Sequence, residues 1–146
     1  MLEKQPIQMD PGQALKTLRI VWVAMLFSLV MYAVVAFIVR NPSTFPPPRT
    51  VQISLALMGL MSGLVVLYLR FSRIPDLASS VEPLDKKTLA RQLYATHLIC
   101  YVCSEVTGLL GFVLAFMNGD SKLFVTLFLG AVLLMLVCYP QFPGNE

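Results

Sequence analysis

Four long stretches almost free of charged residues dominate the sequence. They are Ile20–Val39, Val51–Leu69, Gln92–Met117 and Leu123–Tyr139, with 20, 19, 26 and 17 residues. A bilayer core ~30 Å thick needs about 20 helical residues, within a range of about 17–25. Charged residues make up 13% of the chain, against roughly 25% in soluble domains. The sequence therefore predicts an all-α, polytopic integral membrane protein, a bundle of four transmembrane helices.

The segments between these spans have the composition of connectors. Prolines between Asn41 and Pro48 prevent a helix, because proline lacks an N–H donor and restricts its preceding residue. Asn118, Gly119 and Asp120 favour a tight turn between the last two spans. We expect a polar N-terminal segment (1–19), a membrane domain (20–139, spans at about 20–39, 51–69, 92–117 and 123–139), a cytoplasmic connector (72–91) with a helix starting near Pro83, and a C-terminal tail (140–146).

The distribution of basic residues predicts the orientation. Eight lie on the side of the N-terminus and the connector, and they are Lys4, Lys16, Arg19, Arg70, Arg73, Lys86, Lys87 and Arg91. Three lie on the opposite side, and they are Arg40, Arg49 and Lys122. Since basic residues are retained on the cytoplasmic side, we expect both termini in the cytoplasm and the protein in the cell (inner) membrane. Trp22 and Tyr139 are then interfacial aromatics at cytoplasmic ends.

Glu105 is the only charged residue inside the third stretch. A carboxylate at that depth costs about 2.5–3.5 kcal/mol on insertion scales, and intramembrane ionisable residues usually have a function. An apolar setting disfavours the charged form of a carboxyl group, so we interpret Glu105 as a candidate proton-binding group. The alternative is a hydrogen-bonded glutamate that only fixes the packing of helices.

Small and polar residues share the helix face of Glu105, according to a rotation of about 100° per residue. Ser104, Tyr101 and His97 are candidate supporting polar groups, whereas Gly108 and Gly111 are candidate contacts for a neighbouring helix. For Tyr101 the alternative is an ordinary core aromatic. For His97 we favour a side chain that reaches towards the membrane interface.

Two further spans carry candidate packing residues. Gly59 and Gly63 form a GxxxG pattern that suits close approach of a second helix. Ser28 and Tyr32 lie one turn apart in the first span as possible cross-helix donors, although we favour ordinary core positions for them. The last span contains few polar or small residues and is expected to face lipid.

The remaining reactive residues suggest no catalytic or metal site. Cys100, Cys103 and Cys138 all lie in apolar stretches and are interpreted as small buried side chains. His97, Cys100 and Cys103 spread over about 120° of one helix without an evident fourth ligand for zinc. We therefore expect no metal, no cofactor and no enzyme activity. No basic patch interleaved with aromatic residues suggests a nucleic-acid partner.

The segment Ser104–Phe116 resembles the carboxylate helix of the rotary ATPase proteolipids, the subunit c family. A glycine-bearing helix with Gly59 and Gly63, followed by a basic connector, resembles the first half of that family's hairpin. The resemblance covers about half of the chain, and its connector is longer than the family's. It implies that Glu105 carries a proton within a helix hairpin.

Two functions are compatible with these features. The first is proton handling by Glu105 in a proteolipid-like membrane protein. The alternative is a non-catalytic accessory or scaffold subunit of a larger membrane complex. In both, the expected partners are the lipid bilayer and either further copies of the chain, as a homo-oligomer, or other membrane subunits.

Overall fold

Five α-helices and one π-helical turn account for nearly all of the chain that the structure describes. The computed structural model describes residues 11–38, 48–79, 86–118 and 121–140. The elements in chain order are α1 (Pro11–Ile38), α2 (Arg49–Tyr68), a π-helical turn (Leu69–Arg73), α3 (Ile74–Ser79), α4 (Lys86–Asn118) and α5 (Ser121–Val137). No strand occurs within these ranges, and the predicted all-α class is confirmed.

Three helical segments are long and apolar enough to cross a membrane. They are Gly12–Ile38, Arg49–Asp76 and Thr88–Met117. A shorter apolar helix, Lys122–Val137, follows them. Many large apolar side chains, such as Phe27, are exposed on these helices. Extended apolar surface of this kind marks contact with a membrane or another protein, and together with the helix lengths it supports the predicted membrane class.

The helices extend beyond the apolar stretches from which they were predicted. α1 begins at Pro11 rather than near Ile20 because Ala14, Leu15 and Leu18 give its polar first part an apolar stripe, and all three side chains are buried. The predicted helix start at Pro83 lies outside the described residues.

The helix that begins as α2 does not end at Leu69. It continues through the π-helical turn and α3 into the predicted connector. Within that turn the N–H of Ile74 donates to the carbonyl of Leu69, five residues earlier. Such an i→i−5 bond accommodates one extra residue without ending the helix. The sequence after Leu69 therefore remains helical as far as Ser79.

Helix α4 is the centre of the bundle, since it packs against α1, α2 and α5. The last span, which we expected to face lipid, is exposed on only one side, where Leu129 and Leu133 lie. The opposite side buries Ala131 and Met135. The small side chains of α4 explain this burial, because they let α5 approach closely enough to bury its inner face.

Trp22 joins α1 to the end of α5. Its indole N–H donates to the Met135 carbonyl over 2.8 Å, and its ring meets Tyr139 edge-on at a centroid distance of 5.3 Å. The backbone N–H of Tyr139 donates to the Leu136 carbonyl, three residues earlier, and not to the Met135 carbonyl, four residues earlier. An indole therefore satisfies one of the carbonyls that a helix leaves open at its C-terminal end.

Candidate functional site

The Glu105 carboxyl accepts two hydrogen bonds from α1. Ser28 Oγ lies 2.8 Å from Glu105 Oε1, and Tyr32 Oη lies 3.3 Å from the same oxygen. All three side chains are half-buried. The costly carboxyl therefore has partners, and both come from a helix 73 to 77 positions away in the sequence.

The local geometry of α1 explains why both donors reach one oxygen. Ser28 and Tyr32 are four residues apart, which places them on one helix face about one turn, or ~5.4 Å, from each other. The Tyr32 ring packs against Phe112 of α4 with centroids 5.7 Å apart. Leu29, next to Ser28, is fully buried against Gly108. Apolar contacts thus set the register that brings the hydroxyl groups to Glu105.

This arrangement suits a carboxyl group in either protonation state. A hydroxyl can donate to a carboxylate oxygen or to the carbonyl oxygen of a neutral carboxyl. Because Oε1 accepts both bonds, the proton of the neutral form belongs on Oε2. A proton on Oε2 would therefore leave the two bonds from Ser28 and Tyr32 to Oε1 unchanged.

The structure places the predicted supporting residues away from the carboxyl. Ser104 Oγ donates to the Cys100 carbonyl at 2.8 Å in its own helix, although the residue is adjacent to Glu105. His97 is two turns, about 12 Å, from Glu105 along the helix, and its Nδ1 lies 2.8 Å from the Leu93 carbonyl.

His97, which we expected to reach towards the membrane interface, is completely buried. The continuation of α2 beyond Leu69 explains this burial. α2 continues as the π-helical turn and α3, and both pack against α4. Protein therefore covers a level of α4 that the sequence suggested was exposed.

Tyr101 occupies the core, as the alternative interpretation of this residue proposed. The side chain is completely buried, and its ring lies 6.3 Å from His97 in an edge arrangement. Within the described part of the chain, Tyr101 Oη has no hydrogen-bond partner. Long helical side chains point towards the N-terminus, so this hydroxyl points away from Glu105.

The predicted packing glycines all lie at helix contacts. A β-carbon placed on Gly108 would collide with Leu29 of α1, and one on Gly111 would lie 3.0 Å from Leu127 Cβ of α5. On α2, a β-carbon at Gly59 would lie 3.2 Å from Leu127 Cδ2, and one at Gly63 would lie 3.4 Å from Leu134 Cδ1. The glycine faces of α2 and α4 therefore meet α1 and α5 around the level of Glu105.

Hydroxyl groups also link α2 to α4 at this level. Ser62 Oγ donates to the Cys103 carbonyl at 2.9 Å. Thr107 Oγ1 lies 3.3 Å from the Gly59 carbonyl and 3.0 Å from the Cys103 carbonyl. These bonds are possible because Gly59 lets the two backbones approach. They hold the helix that carries Glu105 from the side opposite α1.

Ser28 and Tyr32 are the site residues that sequence reasoning underrated. Their spacing of one turn identified them as possible donors, but nothing in the sequence pointed their face towards Glu105. Among the described residues, no group of three or more His, Cys, Asp or Glu side chains could hold a metal ion.

Comparison with known proteins identifies no significant match to this chain. No protein-family model matches the chain, and the searches of curated proteins and of solved structures give no significant match.

Proposed function

We propose that this chain is a small multi-pass membrane protein in which Glu105 binds and releases a proton within the bilayer. In this proposal α5 is the fourth crossing, both termini lie in the cytoplasm, and the protein resides in the cell (inner) membrane. The observation that carries the proposal is the pair of hydroxyl donors, Ser28 and Tyr32, on one oxygen of Glu105. They stabilise a carboxyl group where its presence is otherwise costly.

The half-buried state of Glu105 supports exchange rather than permanent confinement. Its neighbours Ser104 and Thr107 are buried, whereas Glu105 keeps part of its side chain accessible. In this proposal the proton binds at Oε2 while α1 holds Oε1. A reversible proton site needs one oxygen for the helix contacts and another for the proton, since binding and release then leave those contacts intact.

The resemblance to the proteolipids supports proton binding by Glu105. The site is nevertheless assembled differently from what the resemblance implies. The resembling hairpin corresponds to α2 and α4, with Glu105 on the second of these helices. The donors come from α1, which lies outside the resembling part. The site is therefore assembled within one chain, and proton binding in this proposal does not need a neighbouring copy to complete the carboxyl's hydrogen bonds.

A flux measurement tests the proposal. The full chain and the Glu105→Gln variant would be reconstituted into vesicles containing a pH-sensitive dye, and a pH gradient would be imposed. We expect proton flux from the wild type and background flux from the variant. Equal flux in both would refute proton handling by Glu105.

Carboxyl labelling supplies a second test that needs no transport. A hydrophobic carbodiimide reacts with the protonated carboxyl, so labelling of Glu105 should decline as the pH rises. Glu105→Gln is the control for labelling elsewhere in the chain. An unlabelled Glu105 in chains that the reagent enters would contradict the proposal.

A second candidate function is a non-catalytic accessory or scaffold subunit. It is favoured by the tight contacts of Gly108 with Leu29 and of Gly111 with Leu127, because a bundle fixed in this way provides a rigid surface for other membrane subunits. This function predicts that Glu105→Gln is silent, while bulky residues at Gly59, Gly63 or Gly108 abolish assembly. Purification in mild detergent distinguishes the two, since a scaffold co-purifies with a constant set of other subunits.

A further inference from the structure

An apolar groove runs along α4 between α1 and α2. Both of those helices pack against α4, and within the described residues they have almost no contact with each other. Glu105 meets α1 on one side of α4, while Cys103 and Thr107 meet α2 on the other. Between them, spacings of three and four residues place an exposed apolar row on one face of α4. This row is the floor of the groove, and it consists of Ile99, Val102, Val106 and Leu109.

Glu105 lies at the edge of this floor without a cation. It is half-buried, its Oε1 accepts from the neutral hydroxyls of Ser28 and Tyr32, and no ion pair joins it to another described residue. The four apolar runs of the sequence contain neither lysine nor arginine, so a second copy of the chain cannot supply a positive charge at this depth. A cation that pairs with Glu105 therefore comes from another molecule.

We propose that Glu105 and this groove form a binding site for lipophilic organic cations, which carry one positive charge on a large apolar body. The carboxylate pairs with the charge, and the floor of the groove covers part of the apolar body. One proton leaves the carboxyl for each cation that binds, so the net charge of the site stays at zero. The inference deepens the proposed function and rests on it, because the same carboxyl binds the proton and the cation.

The side chains of the groove favour an organic cation over a metal ion. Hard metal ions need several oxygen ligands, and the described residues include no cluster of three or more His, Cys, Asp or Glu side chains that could provide them. The exposed valine and leucine side chains of the floor instead suit the apolar surface of an organic ion, whose single charge one carboxylate can balance.

Two ions of the same shape and opposite charge test the inference. Tetraphenylphosphonium carries a positive charge inside four phenyl rings, and tetraphenylborate carries a negative charge inside the same four rings. Equilibrium dialysis would measure the binding of each radiolabelled ion to the purified full chain in mild detergent. We expect saturable binding of the phosphonium only. Glu105→Gln should weaken that binding by at least about tenfold, because a partly desolvated charge pair is lost.

Two lysine variants locate the site. Val102 on the floor of the groove and Val30 on α1 are both 47% exposed, and Val30 lies about 200° around α1 from Ser28. In Val102→Lys the new ammonium group lies one turn from Glu105 and pairs with it, so phosphonium binding should be lost. Val30→Lys adds the same charge away from the groove and should leave binding unchanged.

The inference is overturned if the two ions bind equally, if Glu105→Gln binds the phosphonium as the wild type does, or if the two lysine variants behave alike. Carbodiimide labelling of Glu105 separates this result from the proposed function. Labelling without phosphonium binding overturns the cation site and leaves proton binding in place. A Glu105 that is neither labelled nor able to bind the phosphonium overturns both.

Discussion

Ser28 Oγ lies 2.8 Å from Glu105 Oε1, although the two residues are 77 positions apart in the chain. This contact defines how the first helix docks on the central one. A shift of α1 by one residue would rotate Ser28 by about 100°, away from the carboxyl, and would also displace Leu29 from Gly108. Polar and apolar contacts therefore favour the same register.

Removing either hydroxyl donor should weaken the docking of α1 by a modest amount. For Ser28→Ala and Tyr32→Phe we expect losses of about 0.6 kcal/mol each, with ~1.7 kcal/mol as the upper end for such bonds in membranes. Unfolding of the reconstituted protein by denaturing detergent measures this. Ser54→Ala is the control for Ser28, since Ser54 is exposed and bonds only the Thr50 carbonyl of its own helix. Equal effects at positions 28 and 54 would contradict the assigned bond.

Two substitutions of Glu105 should distinguish the contribution of its hydrogen bonds to stability from the contribution of its charge. In Glu105→Gln the amide oxygen can still accept from Ser28 and Tyr32, so unfolding should change little. In Glu105→Leu both half-buried hydroxyls lose their acceptor, and a loss of about 1 kcal/mol is expected, roughly twice the value for one such bond in a membrane. The same unfolding assay compares the two variants. A leucine variant as stable as the glutamine variant would show that the bonds do not hold α1.

Adding one methyl group at Gly108 should be strongly destabilising. The new β-carbon collides with Leu29, which is itself fully buried, and overpacking of this kind costs about 1–3 kcal/mol. Gly130→Ala is a matched control, because a β-carbon there has nothing within 4 Å and alanine is the better helix former. The yield of folded protein and its unfolding midpoint should fall for Gly108→Ala and hold or rise for Gly130→Ala.

Loss of the Tyr101 hydroxyl should not destabilise the protein. Its oxygen is buried and has no hydrogen-bond partner within the described residues, and an unsatisfied buried polar group costs about 1–3 kcal/mol. Tyr101→Phe keeps the ring in the core and removes that cost. We expect an unchanged or higher unfolding midpoint, opposite in sign to Tyr32→Phe. A marked loss of stability would mean that the hydroxyl has a partner.

The helical class and the candidate carboxyl were predictable because both depend on local composition. Long uncharged runs have to become helices in a bilayer, since the backbone finds no water there. Glu105 was identifiable from composition as well, because it is the only charged residue in its apolar run. The extent of the helices was less predictable, because backbone bonding continues through polar sequence once a helix has formed, as it does after Leu69.

The partners of Glu105 were not predictable, because they depend on how helices rotate against one another. Ser28 reaches the carboxyl only when Leu29 meets Gly108, and that choice involves residues far apart in sequence. The burial of His97 was not predictable for a related reason. Its exposure depends on α3 and the π-helical turn packing beside α4, which the apolar pattern of either segment does not reveal.

Trp22 is the only tryptophan in the chain, and it sits where α1 meets the end of α5. Indole emission responds to hydrogen bonding and to the polarity around the ring, so every photon of tryptophan fluorescence from this protein originates at that junction. The native molecule thus carries an optical reporter for the docking of its last helix, readable in vesicles without attaching a dye.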